Sequence, residues 1–333
     1  MRHFLKLIKV RLFFVVGALA LTQMSCVLFS GSGGASYDSK TVNVQTFNLF
    51  NQRDLSTVGS GNWRGDWFFR RQRLELIDKE LRASKPDLLI YQETMDRLGS
   101  PSESDEAILS AGSLQGYQWR KTELKRFDDT DEVESMGVAA GLPLKMSEKT
   151  DFRKSWVLGN DGFMIVDVVD LEDQPIIVFN VQMPPKIGRK YLWYTFIQER
   201  VSDFVASGNY CSKRVVIAGY MPTEQGAQRF QSFKESLQLK DSSEEFCNVA
   251  SECYTATPEN GLYLAATESV LSGQVDKILV HKTALVYSSS RNMTSSKEFS
   301  ESQQTYGLKR IWASKRFGWT SSIRLPRCQI FDQ

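Results

Sequence analysis

The chain has 333 residues, 41 basic against 39 acidic side chains, a formal net charge of +2 and 41% hydrophobic residues. That composition excludes a disordered chain, and the near-zero charge disfavours a dedicated nucleic-acid binder, which carries a strong basic excess. Only two histidines occur, His3 and His281, so a mature chain without its first segment has one and cannot run a two-histidine mechanism.

In chain order, Arg2, Lys6, Lys9 and Arg11 precede an apolar stretch from Leu12 to Leu21 and then Thr22-Gln23-Met24-Ser25-Cys26. A basic start, a short apolar run and a small residue near its end predict a signal peptide over residues 1–25. The run is too short for a transmembrane helix, which needs about 20 residues. Ser25-Cys26, followed by the Gly- and Ser-rich stretch 30–36, resembles a bacterial lipoprotein signal, although Gln23 stands where such signals usually carry leucine. Lipidation is expected at Cys26, residues 26–36 form a tether, and residues 37–333 form one domain. Processing leaves 37 basic against 39 acidic side chains, a net charge of −2.

Thr41 to Asn48 alternates in strand fashion. A helix is predicted over Trp67 to Ala83, with Leu74, Ile77 and Leu81 on one face, ending at Lys85-Pro86. Leu88 to Gln92 reads as a short buried strand. Further strands are predicted at Met136–Leu142, Phe163–Leu171, Ile176–Val181, Val215–Gly219, Val275–Val280 and Gly318–Leu325, and helices at Lys190–Ala206 and Ala227–Ser236. With Cys26 assigned to lipid, Cys211, Cys247, Cys253 and Cys328 are an even set, as expected for disulfides in an exported protein. Cys247 and Cys253 bracket a short polar loop and are expected to pair, leaving Cys211 with Cys328. No CxxC pair or histidine cluster suggests zinc.

Three stretches carry a resemblance: Gln45-Thr46-Phe47-Asn48, then Lys85-Pro86-Asp87-Leu88-Leu89-Ile90-Tyr91-Gln92-Glu93, then Val275-Asp276-Lys277-Ile278-Leu279-Val280. Together they resemble the endonuclease/exonuclease/phosphatase superfamily, the fold of DNase I-like nucleases, inositol phosphatases and neutral sphingomyelinases. The resemblance implies an α+β protein, a four-layer α/β/β/α sandwich of two mixed sheets flanked by helices. It also implies that Asn48 ends the first strand, that Glu93 reaches a magnesium ion, and that Asp276 orients a histidine. Hydrolysis of a phosphate ester there needs a hard cation, a group that activates water and groups that stabilise the developing charge.

The other family motifs keep their frames and lose their chemistry. The "N-x-H" strand end is Asn180-Val181-Gln182, and the "G-D-x-N" loop is Gly219-Tyr220-Met221-Pro222. The closing "S-D-H-x-P" motif aligns with Ser322-Ile323-Arg324-Leu325-Pro326. Gln182, Tyr220, Pro222, Ile323 and Arg324 thus replace the reactive residues, while Asn48, Glu93 and Asp276 remain. Asn48 and Glu93 read as a vestigial metal site or as hydrogen-bonding strand ends, and Arg324 is expected to pair with Asp276. Arg70, Arg71 and Arg73 read as a solvated helix face, His281 as an exposed residue leading into a loop, and Asp128 to Glu132 as a surface loop. Trp63, Trp67, Phe68 and Phe69 either pack the first helix or rim the cleft. These observations point to a degenerate hydrolase acting as a binding or structural module at the cell envelope, without a cofactor, held to the membrane by lipid, its ligand unnamed. The alternative is an active magnesium-dependent phosphodiesterase or phosphatase built on Glu93 and Asp276.

Overall fold

The computed structural model describes residues 37–38, 40–49, 70–97, 104–126, 132–147, 156–158, 161–183, 187–207, 210–222, 227–256, 273–298, 310–313 and 317–328. The chain divides into two units, Met1–Ser36 and Tyr37–Gln333. The signal segment, Cys26, the tether, Trp63, Trp67 to Phe69 and Asp128 to Asp131 lie outside the described residues, as do the side chains of Arg70, Arg71 and Glu132.

The elements in order are β1 (Val42–Asn48), α1 (Arg70–Ser84), β2 (Leu88–Arg97), α2 (Asp105–Ala111), β3 (Gln118–Arg126), β4 (Glu132–Ala140), β5 (Lys145–Met146), β6 (Trp156–Leu158), β7 (Asp161–Val169) and β8 (Pro175–Gln182). They continue with α3 (Ile187–Ala206), β9 (Val215–Tyr220), α4 (Ala227–Ser236), β10 (Leu239–Asp241), β11 (Asp276–His281), β12 (Leu285–Asn292), β13 (Ser296–Glu298), β14 (Arg310–Trp312) and β15 (Gly318–Arg324). One six-stranded sheet has the order β12-β15-β1-β2-β4-β3. The seven-stranded second sheet runs β10-β11-β9-β8-β7-β5, with β6 also on β7, and β13 pairs with β14 apart. Parallel pairs β1/β2 and β8/β9 among antiparallel neighbours make both sheets mixed.

Side-chain alternation explains the layering, because successive residues of a strand face opposite sides of its sheet. Val42, Val44, Leu88 and Ile90 point between the sheets, where they meet Ile176, Val178, Val216, Ala218, Ile278 and Val280. Their neighbours Phe47, Leu89 and Tyr91 point outward onto Leu74, Ile77 and Leu81 of α1. On the other side Ile177, Phe179, Val181, Ile217 and Leu279 take Trp193, Ile197, Val201 and Phe204 of α3 together with Phe230 and Phe233 of α4. Strands covered on both faces need apolar residues at consecutive positions, which is why they read as unbroken runs. The result is the α/β/β/α sandwich.

Several boundaries differ from the sequence expectation. β4 stops at Ala140, since Gly141 to Leu144 form a turn closed by the Leu144 N–H on the Gly141 carbonyl at 2.9 Å. α1 ends at Ser84, with Lys85 in the left-handed region (φ 42°) and Pro86 after it, a common helix stop. α2, capped by the Ser104 hydroxyl accepting from the Ala107 N–H, and the edge strands β3 and β12 were not anticipated. Cys211 bonds to Cys328 and Cys247 to Cys253, with Cα–Cα separations of 6.2 and 5.8 Å. Among the described residues no helix is long and apolar enough to cross a membrane.

Candidate functional site

Parallel pairing of β1 with β2 and of β8 with β9 brings Asn48 beside Gln92 and Gln182 beside Tyr220 at one end of the sandwich. Antiparallel β11 starts at that end, with Asp276 in register with Tyr220. The family positions Asn48, Glu93, Gln182, Tyr220, Pro222 and Asp276 therefore lie at one end of the two sheets.

Asn180 ties the sheets together there. Its carbonyl accepts from the Gln92 amide at 2.8 Å, and its own amide donates to the carbonyls of Tyr91 at 2.9 Å and Gly137 at 2.7 Å, all buried. Asn180→Ala leaves those partners unmatched in the core. A destabilisation of about 3 kcal/mol is expected from the lost bonds and orphaned groups, read as a shifted urea midpoint. A loss below about 1 kcal/mol would remove this bridge from the account.

Glu93 is 5% exposed and sits in a bulge of β2, where pairing with β4 skips from Tyr91 to Thr94. Its backbone takes the left-handed conformation (φ 56°). Its Oε1 accepts from the Gln182 amide at 3.3 Å, while its Oε2 is buried with no donor among the described residues. Thus the two residues that the sequence resemblance matches to a histidine and a metal-binding glutamate, Gln182 and Glu93, are bonded to each other. Gly219, the retained glycine of the degraded loop, has φ 127°, and a Cβ there would come within 2.2 Å of the Val181 carbonyl. Its retention is explained by backbone geometry alone. Tyr220 is partly buried against Ala256 and Val275, so its ring serves that apolar cluster, and Pro222 is buried beside it.

The expected Asp276–Arg324 pair does not form, and strand direction is the reason. β15 runs antiparallel to β1, with Thr46 opposite Trp319 and Val42 opposite Ile323, so Ile323 and Arg324 lie at the end away from Asn48. Ser242 spans the sheets: its hydroxyl bonds that of Ser321, and its N–H donates to the Ile278 carbonyl, which levels Ser321 with Ile278. Arg324 lies three residues beyond Ser321 and Asp276 two before Ile278, a separation of roughly 16 Å at strand rise. The chain enters β15 at the site end through Phe317, whose N–H donates to the Thr255 carbonyl at 2.9 Å. The Thr255 hydroxyl accepts from the Asp276 N–H at 3.0 Å, so the start of β15 and Asp276 share one anchor. The start of β15 therefore lies at the site end, and Ser322 to Pro326, matched to the closing motif by sequence, lie toward the other.

Two further readings change. Arg73 is buried and donates to the Leu49 carbonyl at 2.8 Å, fixing the chain just after Asn48 instead of joining a solvated face. His281 is the buried last residue of β11, at the end away from Asn48. Its Nδ1 accepts from the Thr283 N–H at 3.2 Å. Burial, with Lys213 and Lys282 nearby, pushes its pKa down to about 4, so it is neutral at physiological pH. Thr255 was missed because it belongs to no motif, and only the buried N–H groups of Val275 and Asp276 that donate to it mark it.

The donor set does not fit a magnesium centre of the family kind. Among the described residues no group of three or more histidine, cysteine, aspartate or glutamate side chains comes together. Magnesium prefers near-octahedral oxygen ligation by one or two carboxylates with water and substrate phosphate, and here one Glu93 oxygen already holds an amide.

No family model matches the sequence, and no curated protein matches it. Solved structures do. Truncated Caenorhabditis elegans TDP2 aligns at TM-score 0.55 and 11% identity, covering 85% of this chain and 97% of that one. An endonuclease/exonuclease/phosphatase family protein from Leptotrichia buccalis C-1013-b aligns at TM-score 0.55 and 10% identity, covering 85% and 99%. The human Nocturnin catalytic domain with bound sulfate anion aligns at TM-score 0.54 and 13% identity, covering 88% and 97%. The chain therefore has the DNase I-like fold of the endonuclease/exonuclease/phosphatase superfamily.

Proposed function

We propose that this protein is a catalytically degenerate relative of the phosphoric ester hydrolases that share its fold, exported and held at the cell envelope through Cys26, where it acts as a binding or structural module. The observation that carries the reading is the Gln182 amide on the Glu93 carboxylate. A neutral amide in the family histidine position neither activates water nor supplies a proton at physiological pH, and it occupies an oxygen that a cation would need. No motif carries the family aspartate–asparagine pair, and Asp332 is the only aspartate or histidine between Phe299 and Gln333. Losing one such group commonly costs about 10² to 10⁴ in rate, and several are gone. The mature net charge of −2 weighs against nucleic acid as the ligand.

A second reading, a magnesium-dependent phosphodiesterase or phosphatase built on Glu93 and Asp276, is favoured by one observation. The Glu93 Oε2 is buried without a donor, as an oxygen awaiting a cation would be. One assay separates the two. The full chain, purified in detergent, is offered a generic phosphodiester and a phosphomonoester with magnesium and with manganese, beside Glu93→Ala. The degenerate reading expects equal, background rates from both proteins. Turnover by the parent chain that vanishes in Glu93→Ala would establish the second reading.

A further inference from the structure

We infer that the end of the sandwich opposite Asn48 is a membrane-docking face that lies on an anionic lipid surface. The described domain begins there: Tyr37 pairs with Pro326 and Asp38 follows, just ahead of β1. The same end carries two neighbouring turns with exposed leucines. Leu142, after β4, is 79% exposed, and Leu171, after β7, is 55% exposed. An open depression of about 300 Å³ lies between these turns and the entering chain, lined in part by Lys40, Pro143 and Leu171. Isolated exposed leucines are ordinary, but two on adjacent turns beside the chain entry form a patch.

Charge completes the face. Lys40, Lys85, Lys145, Lys213 and Lys282 all flank strand ends on this side and are all exposed. Burial chiefly, and then Lys213 and Lys282, push the pKa of His281 at this end down. Of the acids nearby, Glu172 is paired with Arg327 at 2.6 Å and Asp203 with Arg200 at 3.0 Å, Asp38 and Asp170 share buried Arg214, and Asp87 accepts the Asn43 N–H, while Asp173 and Glu235 are exposed, fewer than the five lysines. A basic, leucine-bearing end on a domain whose mature chain is net acidic is an asymmetry that suits anionic headgroups, with leucines entering the acyl boundary.

Tether length points the same way. Ten residues separate Cys26 from Tyr37, a reach of at most about 35 Å. A domain of about 300 residues has a radius of gyration of about 19 Å, so the entry end is held near the bilayer and the Asn48 end faces away. The inference rests on the anchored reading, and its test separates the two.

Leu142→Trp, Leu171→Trp and, as a control near the start of α3 at the other end, Leu192→Trp (parent leucine 50% exposed) are introduced singly into the full chain. Each is reconstituted in phosphatidylethanolamine/phosphatidylglycerol vesicles containing brominated acyl chains. Emission added by Leu142→Trp and Leu171→Trp is expected to be lost to bromine quenching while that from Leu192→Trp is retained. Replacing phosphatidylglycerol with phosphatidylcholine should restore the emission. Vesicle-bound protein with equal quenching at all three positions would overturn the docking and leave the anchor intact. Protein that stays in the aqueous phase would overturn both. Blue-shifted emission without vesicles that grows with protein concentration would put a second copy on this face and overturn the lipid assignment.

Discussion

Arg214→Met is expected to destabilise the protein by about 3–5 kcal/mol, the range for removing one partner of a buried ion pair. Arg214 precedes β9, and its side chain is 1% exposed. Its Nη1 donates to both Asp38 oxygens at 2.7 and 2.9 Å and to the Pro326 carbonyl at 3.0 Å. Its Nε donates to the Pro175 carbonyl at 3.1 Å, and its Nη2 to Asp170. One guanidinium thus joins the chain entering β1, the turn before β8 and the segment after β15. Burial pushes the Asp38 carboxyl above its ordinary pKa, even though Arg214 pulls it down. Methionine would fill the space and leave the Asp38 carboxylate, the Asp170 Oδ2 and two carbonyls without the donor that Arg214 supplies, the Asp170 Oδ1 keeping the N–H groups of Glu172 and Gln174. The deficit in denaturant midpoint should shrink as pH falls into the carboxylate range, because protonation removes the uncompensated charge. Combining Arg214→Met with Asp38→Asn and Asp170→Asn should recover much of the loss. A single variant as stable as the parent would show that these contacts contribute nothing net.

Opening the Cys211–Cys328 disulfide is expected to cost about 5 kcal/mol, against about 2 for Cys247–Cys253, on the chain-entropy account. The first closes a separation of 117 residues and the second one of 6. Loop-closure entropy in the unfolded chain grows with the logarithm of that length, so the longer bridge restrains more. Cys211→Ala with Cys328→Ala, and the corresponding pair at Cys247 and Cys253, compared by chemical denaturation, measure both. Similar losses for the two would contradict the entropic origin. Cys211 lies three residues before Arg214 and Cys328 two after Pro326, so this bridge and the Arg214 cluster restrain the same segments. Their variants should combine non-additively, the second loss being smaller than the first.

The legible part of the fold was its centre. β2, β8, β9 and β11 are covered on both faces and are written around apolar runs that local pattern detects, while β1 shows as an alternation. The edges were not legible. β3, Gln-Trp-Arg-Lys-Thr-Glu-Leu-Lys-Arg, is rich in charge, as suits an exposed edge that must not pair with another chain. β12 is likewise mostly exposed, and its polar Ser-Ser-Ser-Arg run hides its strand. In the site, Asn48, Gln182, Tyr220 and Asp276 each stand at a strand end, whereas Glu93, expected just past a short strand, sits in a bulge because β2 runs on to Arg97. Arg324 was misplaced, because Ser322 to Pro326 matched the motif frame while β15 carries it away from the site.

By itself the sequence determined which residue types are absent. No register can return a histidine or aspartate to a stretch that contains none, and none occurs between Gly318 and Cys328. It also determined the central strands and an even set of four cysteines beyond Cys26. Only the tertiary structure decided that Arg324 and Asp276 lie at opposite ends, that Arg73 and Arg214 are buried, and that the lysines of five separate strand ends share one face. The reason is physical. Apolar pattern and residue identity are local properties of the chain, whereas strand direction, register and the convergence of distant turns arise only when the sheets pair and stack.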